Sequence, residues 1–282
     1  MAELWQPMDW GRVAAARMGE FVTGFVSSAT IQFRVVAALM LRESRTRFGK
    51  SQVGYLWSLA EPIAVVLTFS ALFRALNHPA PIGSSLPVFF ATGMLAYHNY
   101  RRTASFCSNA FTANEALLTF PIVQQVDTLI SRGLLEFFTS ILSLLLIFGA
   151  LHLVWEVALP VDVGPMVLAL AALSIIGFAH GSITAVVGHY FPSWPRFDEL
   201  LSRPLFFVSG IFFVPSALPP SVRSIVSWNP LLHGVELMRS GYYPHYRSDT
   251  LDVGYLLGVA GVLLLVSLSA ERVMRLRSER DN

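Results

Sequence analysis

Arg42, Arg45 and Arg47 share one short polar stretch, and Arg132 follows far downstream. A guanidinium group is planar, permanently charged and forked, and it grips phosphate with paired N–H donors. These four residues are the expected seat of an anionic, phospholipid-type head group. Phe48-Gly49-Lys50-Ser51 imitates the end of a phosphate-binding loop, but that motif requires glycine five positions before Gly49, where the chain has Ser44. The segment also runs into an apolar stretch instead of following a strand, so no ATP site is expected in this chain. No His-Glu-x-x-His, no Cys/His ligand set and no Gly-x-Ser-x-Gly occurs in the sequence. Cys107 is the one cysteine, which excludes an internal disulfide and a cysteine-based metal cluster. His180 and His189 fall on roughly opposite sides of a helix, so a shared metal is not expected. His180, beside Gly181, reads as a helix–helix contact, although a polar group inside an apolar span also raises a functional role. Arg132 and Glu136 are spaced i,i+4 and can pair on one helix or touch substrate; both readings stand. Glu61 can remain near the head groups or pair with a basic residue on a neighbouring helix.

The elements that position these residues are apolar. Of 282 residues 54% are hydrophobic and 13% charged, about half the roughly 25% charge of a soluble domain. The mean hydropathy is +0.56. A helix needs about 20 apolar residues to cross the hydrocarbon, and six stretches qualify, near 55–76, 86–106, 132–154, 164–190, 204–219 and 252–270. The fifth is short and bounded by prolines. The net charge of +2 gives no sign of nucleic-acid binding. Asp9, Arg12, Arg17 and Glu20 interrupt the first thirty residues, so no cleavable signal peptide is expected and the first span directs its own insertion.

Basic residues set the orientation. With six spans, fourteen of the twenty Lys and Arg lie on one side and four on the other; Arg101 and Arg102 remain unplaced. Both termini are then expected in the cytoplasm. Residues 30–50 are apolar first and basic second, the pattern either of a helix lying in the interface with its arginines on anionic head groups or of a plain positive-inside anchor. Two loops, Asn114 to Asp127 and Phe191 to Arg203, face the same side. In the second, Asp198 either complements a helix dipole or helps dock a cytoplasmic partner. The external loop 214–250 is rich in proline and aromatic residues. It is too short for two more spans and suits re-entrant or interfacial helices.

Leu41-Arg42-Glu43, Arg45-Thr46-Arg47-Phe48-Gly49, Gly54-Tyr55-Leu56-Trp57 and Glu61-Pro62 together resemble the N-terminal motif of type-2 ABC exporter permeases for polysaccharides, most closely the capsular-polysaccharide branch. The likeness continues through Asn114 to Pro121, Val126-Asp127-Thr128 and Arg132 to Glu136. It returns at Phe191-Pro192 and at Trp228-Asn229-Pro230-Leu231 with His233, Glu236 and Arg239. It spans about residues 34–270.

The resemblance implies an all-α integral membrane protein: six transmembrane helices, an N-terminal interfacial amphipathic helix, and short re-entrant helices in the last periplasmic loop. The expected domains are an N-terminal cytoplasmic extension (1–29), a transmembrane domain (30–270) and a basic cytoplasmic tail (271–282). It also implies a permease, not an enzyme, in the bacterial inner membrane, forming half of a homodimeric channel above two copies of an ABC ATPase subunit. ATP and Mg bind that partner, and this chain has no cofactor. The cargo is lipid-linked capsular polysaccharide, with periplasmic and outer-membrane export proteins as further partners. By resemblance, Arg42, Arg45, Arg47 and Arg132 hold the head group, and Tyr55, Trp57 and Tyr97 stack on sugars. Asn114, Glu115, Pro121, Asp127 and Asp198 couple to the ATPase. Trp228, Asn229, Pro230, Glu236 and Arg239 form a periplasmic gate region. Export of O-antigen or teichoic-acid chains is the alternative within this architecture. A membrane glycosyl- or acyltransferase would need convergent acid–base groups, and the nearest candidates, Asp198-Glu199 and His245 with Asp249, lie on opposite sides in this topology.

Overall fold

The computed structural model describes residues 30–46, 53–120 and 122–281, with backbone alone at 53–59, 278–279 and 281. Arg47 and Pro121, and the side chains of Tyr55 and Trp57, lie outside the described residues. Among those described, the elements are helical: α1 (30–46), then α2 (Val53–Ala75), α3 (Leu86–Ser108), α4 (Ala110–Ala113), α5 (Glu115–Leu118), α6 (Gln125–Trp155), α7 (Val163–Tyr190), α8 (Trp194–Val208), α9 (Pro220–Val226), α10 (Pro230–Tyr242) and α11 (Val253–Asp281).

Local chemistry starts these helices where it should. Asp162 precedes α7 and its carboxylate accepts from the Gly164 amide at 2.8 Å. Asn229 caps α10 by accepting from the Leu231 amide at 3.0 Å, with Pro230 at the first helical position. Asp252 caps α11 through the Tyr255 amide at 2.8 Å. Each cap satisfies an amide left open by the helix, and proline there forgoes an amide with no helical partner.

By length and composition α6, α7 and Val253–Arg277 of α11 are apolar enough to cross a membrane, with mean hydropathies of 2.2, 2.0 and 2.2. Helix α7 is the centre, packed by α3, α6, α10 and α11. Gly177 and Gly181 let α3 approach it closely: a Cβ at Gly177 would meet the Tyr100 carbonyl oxygen at 2.6 Å, and one at Gly181 would meet Cys107 Cβ at the same distance. Small residues four apart are a standard means of bringing membrane helices together. Asn99 and Ser174, buried along this contact, are partnered. Asn99 of α3 donates to the Leu170 carbonyl at 2.8 Å and accepts from Ser174 at 2.9 Å. Phe69, Phe73, Phe90, Phe206 and Phe212 seal α2, α3 and α8 together, with ring centroids as close as 4.7 Å.

The helix expected over 204–219 is displaced. It begins at Trp194 and stops at Val208. Gly210 then takes a left-handed φ of +82°, a region open chiefly to glycine, and α-helix resumes only at Pro220, the first residue of α9. The irregular backbone at 209–214 is mostly buried, so its carbonyls need partners. Arg239 supplies two, donating to Phe213 at 3.0 Å and Ile211 at 3.3 Å. At the C-terminal end α11 runs unbroken through residue 271.

Candidate functional site: the polar hub at the inner end

One end of the helix bundle, the one expected from the sequence to face the cytoplasm and so called the inner end, gathers most of the buried charge among the described residues. Asp127 is 2% exposed and occupies the third position of α6. One carboxylate oxygen accepts from the Gln124 amide at 3.0 Å, closing a reciprocal capping box with the Gln124 side chain. The other accepts from Gln32 of α1 at 3.0 Å. Asn114, buried at the junction of α4 and α5, donates to the Ala110 carbonyl at 2.9 Å and accepts from Arg42 of α1. Arg132 donates to Glu43 of α1 at 2.9 Å and to the Phe106 carbonyl at the end of α3 at 2.8 Å. Arg275 of α11 donates to Gln124 at 2.6 Å. Three separate polar contacts therefore fasten α1 to the 114–132 segment, and α11 reaches the same place.

A second cluster lies nearby, between α3, α7 and α8. His180 Nε2 is 2.6 Å from Asp198, and Tyr100 Oη is 2.6 Å from His180 Nδ1. Arg101 reaches the other Asp198 oxygen at 3.3 Å. The imidazole thus bridges the Asp198 carboxylate and the Tyr100 hydroxyl.

Several sequence expectations change here. Arg132 and Glu136 do not pair with each other. Glu136 is 3.3 Å from Arg102 of α3, because α1 and α3 present opposite charges across the helix contact while the i,i+4 partner sits along the same helix. Arg101 thereby finds its place at half-buried Asp198 and Arg102 at buried Glu136. Arg132 is 5% exposed and engaged by Glu43 of α1 and the Phe106 carbonyl in this conformation. Arg42 serves Asn114, and Arg45 is exposed. The Asp198 side chain points inward, 13% exposed, toward α7 and α3. Tyr97 is 7% exposed; its hydroxyl donates to the Ser202 carbonyl at 2.9 Å and its ring packs on Phe206, leaving no open face for a sugar in this conformation.

Glu115 is exposed on α5, followed by exposed Phe120 and Ile122. Toward the opposite end, Glu236 and Arg239 form a fully buried pair at 2.9 Å, Asn229 donates to the Val208 carbonyl at 3.1 Å, and Trp228 is 77% exposed. Sequence reasoning missed the contacts of Gln32 and Gln124, the Arg132–Glu43 pair and the link from Tyr100 through His180 to Asp198, although it had singled out His180 and Asp198 one by one. A histidine inside an apolar helix and a glutamate amid arginines were the available signals.

These features define a helical integral membrane protein whose buried charges link a surface helix to short exposed connections at one end. The sequence profile of the ABC-2 type transporter family matches residues 34–243, and the chain belongs to that family. It is 33% identical to the polysialic acid transport protein KpsM of Escherichia coli over 246 residues, 87% of this chain and 95% of that one. It is 30% identical to the capsule polysaccharide export inner-membrane protein BexB of Haemophilus influenzae, over 87% and 93% of the two chains. Against the capsule polysaccharide export inner-membrane protein CtrC of Neisseria meningitidis the identity is 28%, over 88% and 93%.

Proposed function

We propose that this chain is the permease subunit of an ATP-driven exporter that carries lipid-linked capsular polysaccharide across the bacterial inner membrane. What supports the reading above all is likeness to capsule export proteins along nearly the whole length of both chains. Hydrolysis belongs to a separate ABC ATPase subunit, which binds ATP and Mg. In this reading the chain crosses six times with both termini in the cytoplasm. Helix α1 lies on the inner leaflet, and α9 and α10 form a re-entrant hairpin from the periplasmic side. Two copies form the channel, two ATPase subunits dock beneath, and periplasmic and outer-membrane proteins continue the path.

The mechanism uses the hub. Glu115, Phe120 and Ile122 lie where an ATPase can press on the 114–127 segment. Asn114, Asp127 and Arg132 are bonded to Arg42, Gln32 and Glu43, so a push there is delivered to α1. Arg45, with Arg47, then meets the anionic lipid head group, for which a forked cation is suited. Nucleotide binding biases the helices between two arrangements.

Co-purification tests this. Expressed with the ATPase encoded beside its gene, the chain is expected to form a stable complex whose hydrolysis changes on addition of lipid-linked capsule glycan. Failure to associate with that ATPase would overturn the reading.

A further inference from the structure

At the outer end a cleft of about 940 Å3 opens between the last turn of α2, the 83–88 segment, the 155–161 connection and Tyr242 to Pro244. That is at the upper end of the range for small-ligand sites and large enough for more than one sugar ring. Its walls are held in place. Gly83 sits on the Tyr243 ring with φ +69°, and a Cβ there would come within 2.8 Å of the ring. Tyr242 donates to the Ala158 carbonyl at 2.5 Å, and the Asp162 amide donates to the Gly241 carbonyl at 2.9 Å.

The lining has a definite chemistry. Arg74 is its one basic residue, is exposed, and has no ion-pair partner among the described residues. Trp155 is 48% exposed. The Tyr243 side chain is buried, and its hydroxyl has no hydrogen-bond partner among the described residues. Glu156, Ser70, Ser84 and Ser85 add further polar groups to the wall.

We propose that this cleft binds acidic sugar units of the emerging glycan. Arg74 takes the sugar carboxylate, for which its fork is shaped. Trp155 offers a broad apolar face to a pyranose ring, and Glu156 with the serines receives hydroxyls. The inference rests on the export reading and adds to it a site, at the exit, selective for charged glycan.

The test uses the full chain in phosphatidylcholine nanodiscs and follows tryptophan fluorescence against two probes, hexagalacturonate and uncharged maltohexaose. Hexagalacturonate is expected to bind saturably and more tightly than maltohexaose. Losing the single charge-assisted contact in Arg74→Ala should weaken the acidic probe about tenfold or more and leave maltohexaose unchanged. Arg74→Lys, which keeps the charge but loses the fork, should fall between wild type and Arg74→Ala, and Trp155→Leu should weaken both probes. Equal affinity of wild type and Arg74→Ala for hexagalacturonate would overturn the proposal. So would loss of that binding when phosphatidylglycerol is added to the discs, which would make the cleft a lipid site. If the assembled complex exports glycan while hexagalacturonate fails to bind, the cleft inference falls alone; if the complex does not export, the reading beneath it falls too.

Discussion

Arg239→Met is expected to remove most of the folded protein from the membrane. Arg239 and Glu236 are both fully buried. The guanidinium donates to Glu236 and to the carbonyls of Ile211 and Phe213, and it lies over the Phe89 ring at 4.2 Å. Removing it strands a buried carboxylate, whose remaining side-chain bond is from Tyr246 at 2.5 Å, and leaves two carbonyls of the irregular 209–214 stretch without their donors. Breaking a buried ion pair in this way costs about 3–5 kcal/mol, a large part of the roughly 5–15 kcal/mol that holds a domain folded. Arg239→Lys should fail nearly as badly, since one ammonium cannot span all these acceptors. Arg239→Met with Glu236→Gln should recover part of the loss, because the stranded charge is gone while the carbonyls remain open. Size-exclusion elution and thermal melting of the purified variants measure this ranking. A double variant no better than the single would show that the charge is not the cost.

Asp198→Ala is expected to separate hydrolysis from export. Its carboxylate ties α8 to α7 through His180 and to α3 through Arg101, and it faces inward. The variant should still co-purify with the ATPase and hydrolyse ATP, while export falls about ten- to a hundredfold, the range of ordinary coupling energies of 1–3 kcal/mol. His180→Ala should act the same way. The pair should be non-additive, because both remove one contact. If Asp198→Ala instead prevented ATPase binding, the residue would be a docking contact and the positioning role would be wrong.

The helix segments were largely legible in the sequence because long apolar runs, capping residues and prolines are local signals. The α2, α3, α6 and α7 runs fall within a few residues of expectation at most ends, while α6 starts seven residues early because Gln124 and Asp127 close a capping box ahead of the apolar run. The displaced α8 was not legible. Its first turns are amphipathic, not apolar, and its end is set by Gly210 and by carbonyls that only Arg239 and Asn229, distant in sequence, can satisfy. The partners of the charges were equally hidden. Arg132 chooses Glu43, eighty-nine positions away, over Glu136 one turn along, and nothing local distinguishes them. Asn114, Asp127 and Asp198 were singled out by resemblance, but only the fold shows that their side chains face other helices of this chain.

The central claim is that this chain carries capsular glycan outward with an ABC ATPase. Its most direct test is surface capsule, stained with a glycan-specific probe, in a strain deleted for this gene and complemented by it. The account predicts that wild type restores surface glycan, that Asp198→Ala leaves lipid-linked glycan inside the cell, and that an ATPase-deficient strain does the same. Normal surface capsule in the deletion strain, with no glycan held inside, would contradict it.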